Sequence, residues 1–238
     1  QNPQWQQMTS TQATPEGDPD TTQIPAWLST IAPKRPRPAQ PIAPSKLAGA
    51  KALPDDNALP EEQAKRRGHL LHLLLEYLPE NPRESWQAYG QQLLNAEPDQ
   101  TMVQTLISEA IGLLQNPNLH DIFFDPNSMA EVGITAPVVG MDQNMMGYID
   151  RLIVTDSTIT AVDFKSNAGI PDTIQQTPKG ILAQQGAYLM ALKQIYPDHD
   201  IDIAILWTRT GQIMSIPHNI AMNAFETSLH LDDSGERS

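Results

Sequence analysis

The chain has 238 residues, 39% of them hydrophobic and 5% aromatic, enough for one domain of ordinary size plus some linker. A formal charge of −13 excludes a surface that is basic throughout, so a polyanionic partner would have to enter a local groove or be delivered by another domain. The absence of cysteine removes disulfides, thiol catalysis, iron–sulfur clusters and Cys-ligated zinc, which leaves oxygen and imidazole donors and favours hard ions such as Mg²⁺ or Mn²⁺.

The longest apolar run, Leu70 to Leu75, is interrupted by His72 and falls far short of the roughly 18 residues of a membrane span, so no membrane association is expected. The start, Gln1-Asn2-Pro3, has neither an initiator Met nor a signal-peptide pattern, as expected of a piece of a longer polypeptide. Residues 1–43 read as a Pro-rich linker. Eleven of the 21 prolines fall in the first 60 residues, among Gln, Thr, Ser and Asp, a composition that supports neither regular structure nor a core. Within it, Ile24-Pro25-Ala26-Trp27-Leu28 is apolar enough to dock on a neighbouring surface, and Lys34-Arg35-Pro36-Arg37-Pro38 is a basic run that reads as solvated linker.

The folded domain is expected over 44–238. Ser45 is placed to cap a short helix. Pro60-Glu61-Glu62 opens a strong helix running to about Leu78, and helices near 83–96 and 99–115 follow. The period then shifts to two, predicting strands at 129–137, 145–154 and 159–165. A helix at 178–196, a strand at 201–208, a turn at Arg209-Thr210-Gly211-Gln212 and a short strand at 213–217 come next. The last helix begins near His218, with a frayed acidic tail expected from Asp232. Helices first and a β-rich core interrupted by one helix indicate an α/β or α+β domain.

The stretch Gly147-Tyr148-Ile149-Asp150-Arg151-Leu152-Ile153-Val154, a polar turn at Thr155 to Thr158, and Ile159-Thr160-Ala161-Val162-Asp163-Phe164-Lys165 read as an antiparallel hairpin. With Asp156 and Ser157 at the centre of the turn, facing residues sum to 313, and Asp150 lies opposite Asp163. Opposed carboxylates about 4.5–5.5 Å apart repel each other unless a cation sits between them. Lys165 projects from the same strand face as Asp163, where its charge could orient a water or offset charge developing on a phosphate. Phe164 points to the opposite face, into the core, with its main-chain carbonyl near the proposed cation. Taken alone, the acid-x-Lys triplet also fits a surface ion pair on an edge strand.

The flanks supply further candidates. His72 shares a helix face with Gly68 and Glu76 and is either a core histidine or a neutral metal ligand, whereas His69 reads as a surface residue. Glu131 sits on an alternating strand just before the hairpin, either exposed or supporting the site. Gln184 and Tyr188 are neighbours on one helix face with Ile181, Leu192 and Ile195, a face expected to point inward. A buried amide there needs a partner, which a catalytic side chain or a substrate phosphate would supply.

The ordered set Gly68…His72…Glu76, Glu131, Gly-x-Ile-Asp-Arg-Leu, Val-Asp-Phe-Lys and Gln-x-x-x-Tyr resembles the RecB-like nucleases of the PD-(D/E)XK superfamily. More narrowly, it looks like the C-terminal nuclease domains of AddA-type helicase–nuclease subunits, as do the Pro-rich lead-in and the strand at 205–208. The resemblance spans roughly residues 44–220. It implies an α/β, restriction-endonuclease-like core: a mixed β-sheet flanked by helices, with an N-terminal helical extension. It also implies His72, Asp150, Asp163 and the Phe164 carbonyl as metal ligands, and Asp150, Asp163 and Lys165 as the catalytic set. Gln184 and Tyr188 match a helix motif near the DNA, and Glu131 matches a less regular acidic position. Ile149 stands where the superfamily's nominal proline would precede Asp150, which is usual in this branch.

The implied function is Mg²⁺- or Mn²⁺-dependent exonuclease action on single-stranded DNA ends within a bacterial, cytoplasmic helicase–nuclease complex that repairs double-strand breaks by recombination. Helicase domains of the same parent polypeptide and an AddB-like subunit are the implied partners, without an iron–sulfur cluster on this chain. The alternative is a catalytically silent nuclease-like module for DNA binding or assembly; the intact Asp, Asp, Lys set favours the enzyme. A helical interaction domain with an incidental hairpin would gain no stability from metal.

Overall fold

Pro60, with φ of −54°, opens the first long helix, α1 (Glu61–Tyr77). Its Leu71, Leu74 and Leu75, together with Leu78 just beyond, follow the i, i+3, i+4, i+7 pattern and are fully buried. The helix α2 (Trp86–Leu93) is shorter than the expected 83–96, because a 3-10 turn, Arg83–Ser85, precedes it after Pro82. Asp99 caps α3 (Gln100–Leu114) by accepting from the Met102 N–H at 3.0 Å. One short helix, α4 (His120–Phe124), was not foreseen from the sequence; five residues are too few to carry a periodic signal. The computed structural model describes residues 40–47, 60–138, 143–167 and 169–235, all within one compact unit, Ala39–Ser238. The linker segments 24–28 and 34–38 lie outside the described residues.

The sheet comprises β1 (Ser128–Pro137), β2 (Asn144–Val154), β3 (Thr158–Lys165), β4 (Asp200–Trp207) and β5 (Gln212–Ser215), in that spatial order. Neighbours are antiparallel except β3 and β4, which run parallel and are joined through α5 (Lys179–Ile195). The last helix, α6 (His218–Gly235), runs on through Asp232, from which a frayed tail is expected.

Period-two alternation on β3 sorts its side chains between two layers. Val162 and Phe164, with Leu206 of β4, join the cluster formed by α1 to α4. Ile159 and Ala161, with Ile203, Ile205 and Trp207, join the cluster that includes α5 and α6. The result is the expected α/β arrangement, a mixed five-stranded sheet flanked by helices with a helical layer ahead of it.

Two expectations are corrected. Ser45 lies inside the 3-10 turn Pro44–Lys46, and Ala43 occupies the N-cap position without a side-chain bond. The expected inward face on α5 is too narrow a description, because every residue from Gly180 to Leu192 is buried. Ile195, assigned to that face, is instead 42% exposed. The sheet covers one side of α5 and α6 the other, and at Gly186 an added Cβ would fall 2.2 Å from the Ala221 carbonyl oxygen. Ile42, in the stretch read as linker, bridges to Met145 and bonds Asn144 O and Met146 N at 2.8 and 2.9 Å.

Candidate active site

The hairpin forms in the expected register: Arg151↔Val162, Leu152↔Ala161, Ile153↔Thr160 and Val154↔Ile159 all sum to 313. The ladder stops one pair short of Asp150 and Asp163. Ile149 and Leu152 both pack into the α5-side cluster although they are three residues apart, so alternation on β2 breaks between them. The break coincides with Glu131 on β1, which has φ of +49°, while its neighbours Ala130 and Val132 stay paired to Arg151 and Ile149. A left-handed glutamate in a strand costs on the order of 1–3 kcal/mol. The kink leaves Asp150 off both ladders. Its Oδ2 accepts the Phe164 N–H at 2.5 Å, and its Oδ1 lies 3.0 Å from His72 Nδ1 on α1.

Asp163, on the α5 side of β3, makes an ion pair with Lys165. Its Oδ1 accepts from Gln184 Nε2 at 3.1 Å, and the Gln184 Oε1 accepts from Lys165 Nζ at 3.3 Å. Gln184 Nε2 also reaches the Tyr188 hydroxyl at 3.0 Å, which donates to the Tyr148 carbonyl at 2.6 Å. This chain of bonds satisfies the buried amide and fixes which way it points. His72, Asp150, Asp163, Lys165, Gln184 and Tyr188 all line one cleft of about 440 Å³. The Phe164 ring is buried in the helical cluster, edge-on to the His72 ring at 5.6 Å between centroids.

The electrostatics separate the two aspartates. Burial pushes the Asp163 carboxyl above its ordinary value, against the pull of Lys165. Burial also opposes charge on Asp150, but His72 and Lys165 prevail and hold it below the ordinary value. His72 is the counterpart: burial works against the imidazolium, the Asp150 carboxylate outweighs it, and the pKa rises. Glu131 is raised by burial and by Asp150, and Tyr188 by burial and by Asp163. Two carboxylates pushed apart in this way are characteristic of working sites.

Ligand atoms of His72, Glu131 and Asp150 lie within 4.8 Å of one another. One imidazole and two carboxylates make a donor set that could hold a divalent cation. Asp163 faces the same cleft with its carboxylate turned to Lys165 and Gln184, and Glu131 takes its place in the closest donor group.

Several contributors escaped the sequence reading. Pro41, Ala43, Pro44, Ser45, Met146 and Tyr148 also line the cleft. Behind Lys165, the backbone N–H of Thr208 donates to the Lys165 carbonyl at 3.0 Å, and the Thr208 hydroxyl to Glu109 at 3.2 Å. Glu109 is ion-paired with Arg67, only 8% exposed. Arg67 directly precedes the Gly68 of the recognised pattern, and that adjacency was the available signal. Glu109 and Thr208, distant in sequence, gave none.

The profile of the PD-(D/E)XK nuclease superfamily matches residues 46–221. A search of the curated proteins finds no match. Among solved structures 26 chains match. The SSO0001 crystal structure is similar over 72% of this chain and 85% of that one, at 12% identity and a TM-score of 0.31.

Proposed function

The chain belongs to the PD-(D/E)XK nuclease superfamily, and from that premise we propose that it is a metal-dependent exonuclease acting on single-stranded DNA ends. The observation that carries this is the meeting of Asp150, Asp163 and Lys165, from two strands, with His72 and Gln184, from two helices, in one cleft. The similarity to AddA-type nuclease domains supports a place in a bacterial, cytoplasmic helicase–nuclease machine for recombinational repair. There the parent polypeptide's helicase domains and an AddB-like subunit would bring the strand to an acidic domain that is poorly equipped to attract it. In this reading 1–43 is the linker to those domains and 44–238 the nuclease. Among the described residues no helix is long and apolar enough to cross a membrane.

Mg²⁺ or Mn²⁺ held by His72, Asp150, Asp163 and the Phe164 carbonyl, with Glu131 in support, would supply Lewis-acid charge at the scissile phosphate. The protein's own groups do the rest. Lys165 holds its ammonium between Asp163 and Gln184, where it orients a water for in-line attack and offsets charge developing on the phosphate. Gln184 keeps the two charged groups in fixed relation, and Tyr188 ties the amide to the backbone of β2.

The test is incubation of labelled single-stranded DNA with the chain in Mg²⁺ or in EDTA, beside Asp163→Ala and Lys165→Ala. Degradation that requires metal and is lost in both variants supports the reading. Degradation indifferent to chelation and to both substitutions refutes it.

A further inference from the structure

A polyanion in this cleft finds little charge to hold it. Among the described residues lining it, Lys165 is the one permanent cation, and it is already engaged by Asp163 and Gln184. The chain as a whole carries −13. Phosphate neutralisation, which supplies most of the affinity of basic nucleic-acid-binding proteins, has little to work with here.

The cleft offers another kind of contact. Tyr148 and Met146, two and four residues before Asp150 on β2, line it while remaining 57% and 49% exposed. Their chain neighbours Met145 and Ile149 are buried, at 1% and 0%, so the exposure belongs to this face of the strand. The Tyr148 ring sits over the neighbouring strand. It lies against Gly133 of β1, where an added Cβ would come within 3.4 Å of its Cε1. Pro44, on the adjoining wall, seats on Gly147, where a Cβ would lie 2.9 Å from the proline ring. The outcome is an aromatic ring backed by the sheet, open towards the cleft and beside the carboxylates.

We infer that Tyr148, flanked by Met146, is a stacking seat for a nucleobase of single-stranded DNA next to the phosphate that is cut. The inference rests on the nuclease reading above. Residues two apart on a strand are separated by roughly 6.6 Å, comparable to the reach from a nucleotide's phosphate to its own base. Stacking accepts any base, since each has a π-face, so the seat is blind to sequence. Bases in a duplex are already stacked on one another and would have to be extruded first, so the seat selects single strands. Because the contact is not ionic, binding through it falls only gently as salt rises.

The experiment is equilibrium binding of a short labelled strand to the full chain, by fluorescence anisotropy in EDTA so that nothing is cut. The same strand carrying abasic sites, and its duplex, are measured in parallel at low and moderate salt. The intact strand is expected to bind about tenfold more tightly than the abasic one. Tyr148→Ala should erase that difference, and Tyr148→Phe, which keeps the ring, should restore it. The seat is overturned if the wild-type chain does not distinguish intact from abasic DNA, a comparison that needs no variant. It is equally overturned if Tyr148→Ala, melting like wild type, keeps the preference, or if that substitution instead dissolves a dimer of the chain. A chain that cuts DNA without a base preference refutes the seat and leaves the nuclease standing. One that shows the preference but cuts nothing refutes the nuclease reading alone.

Discussion

Gln184 donates to Asp163 at 3.1 Å while its amide oxygen accepts from Lys165 at 3.3 Å, so one neutral side chain spans the two charged groups at the centre of the cleft. Flipping the amide would set a donor against the ammonium and an acceptor against the carboxylate, so its orientation is fixed by both partners. Gln184→Ala should therefore free Lys165 to wander and cost about 1–3 kcal/mol of stability through the unsatisfied buried carboxylate. A misplacement of this kind is worth up to about a hundredfold in kcat, with a smaller effect on KM. Gln184→Glu, which adds a second carboxylate beside Asp163, should be more damaging than the alanine. Steady-state kinetics on single-stranded DNA and thermal melts would check both; equal activity of wild type and Gln184→Ala would remove the residue from the machinery.

Asp163 is 3% exposed and its ion-pair partner is Lys165. Lys165→Met leaves that carboxylate buried and uncompensated, an arrangement that typically costs about 3–5 kcal/mol unless the group takes up a proton. The double variant Lys165→Met with Asp163→Asn removes both charges and should regain much of the loss, while neither variant cuts DNA. Denaturant melts of the two single variants and the double would give the coupling. A double variant no more stable than Lys165→Met would show that the pair contributes little to the fold.

The register of the β2–β3 hairpin was legible because two β-branched runs around a short polar turn admit few pairings, and four observed pairs obey the expected sum. The departure at Asp150 was not. It is set by His72 from α1, by the Phe164 N–H and by the left-handed backbone of Glu131, none of which leaves a periodic trace. Gln184 and Tyr188 were legible as neighbours on a helix. That α5 is buried on every side was not, since its outer cover comes from α6, joined to it only in three dimensions. Tyr148 carries no sequence signal beyond its place in the hairpin; its exposure beside the carboxylates depends on the whole cleft.

Arg67 and Glu109 form an ion pair on the far side of Lys165, linked to its carbonyl through Thr208. Arg67→Ala strands a mostly buried carboxylate and should cost about 3–5 kcal/mol, whereas Arg67→Leu with Glu109→Leu should cost far less. If the pair also positions Lys165, the stable double variant will still show a reduced kcat at unchanged KM. Wild-type kcat in that variant would confine the pair to a structural role.

Gly186 has no room for a side chain: its Cβ would meet the Ala221 carbonyl at 2.2 Å and Phe225 Cβ at 2.6 Å. Backbone cannot yield as a side-chain tip can, so Gly186→Ala must push α6 away from α5. Overpacking of this kind costs about 1–3 kcal/mol or more, and at about 2–4 °C per kcal/mol the melting temperature should fall by roughly 2–12 °C. Gly112→Ala is the control, since nothing lies within 4 Å of its added Cβ. A gain in helix propensity there should leave the melt unchanged or slightly raised.

Glu131 provides the sharpest test of the metal site, because its strained backbone and its carboxylate can be separated. Its φ of +49° suits glycine better than glutamate, and its carboxylate stands near the Asp150 carboxylate and the His72 imidazole. Mg²⁺ or Mn²⁺ at about a hundred times its Kd should stabilise the wild-type chain by about 2.7 kcal/mol. That corresponds to a rise in melting temperature of roughly 5–10 °C. His72→Ala and Asp150→Asn should abolish the rise. Glu131→Gln, which keeps the backbone and removes the charge, should reduce it, and Glu131→Gly should reduce it equally while relieving the strain. If Glu131→Gln melts and responds to metal as wild type does, the carboxylate is no ligand. The left-handed turn would then serve only to aim Asp150.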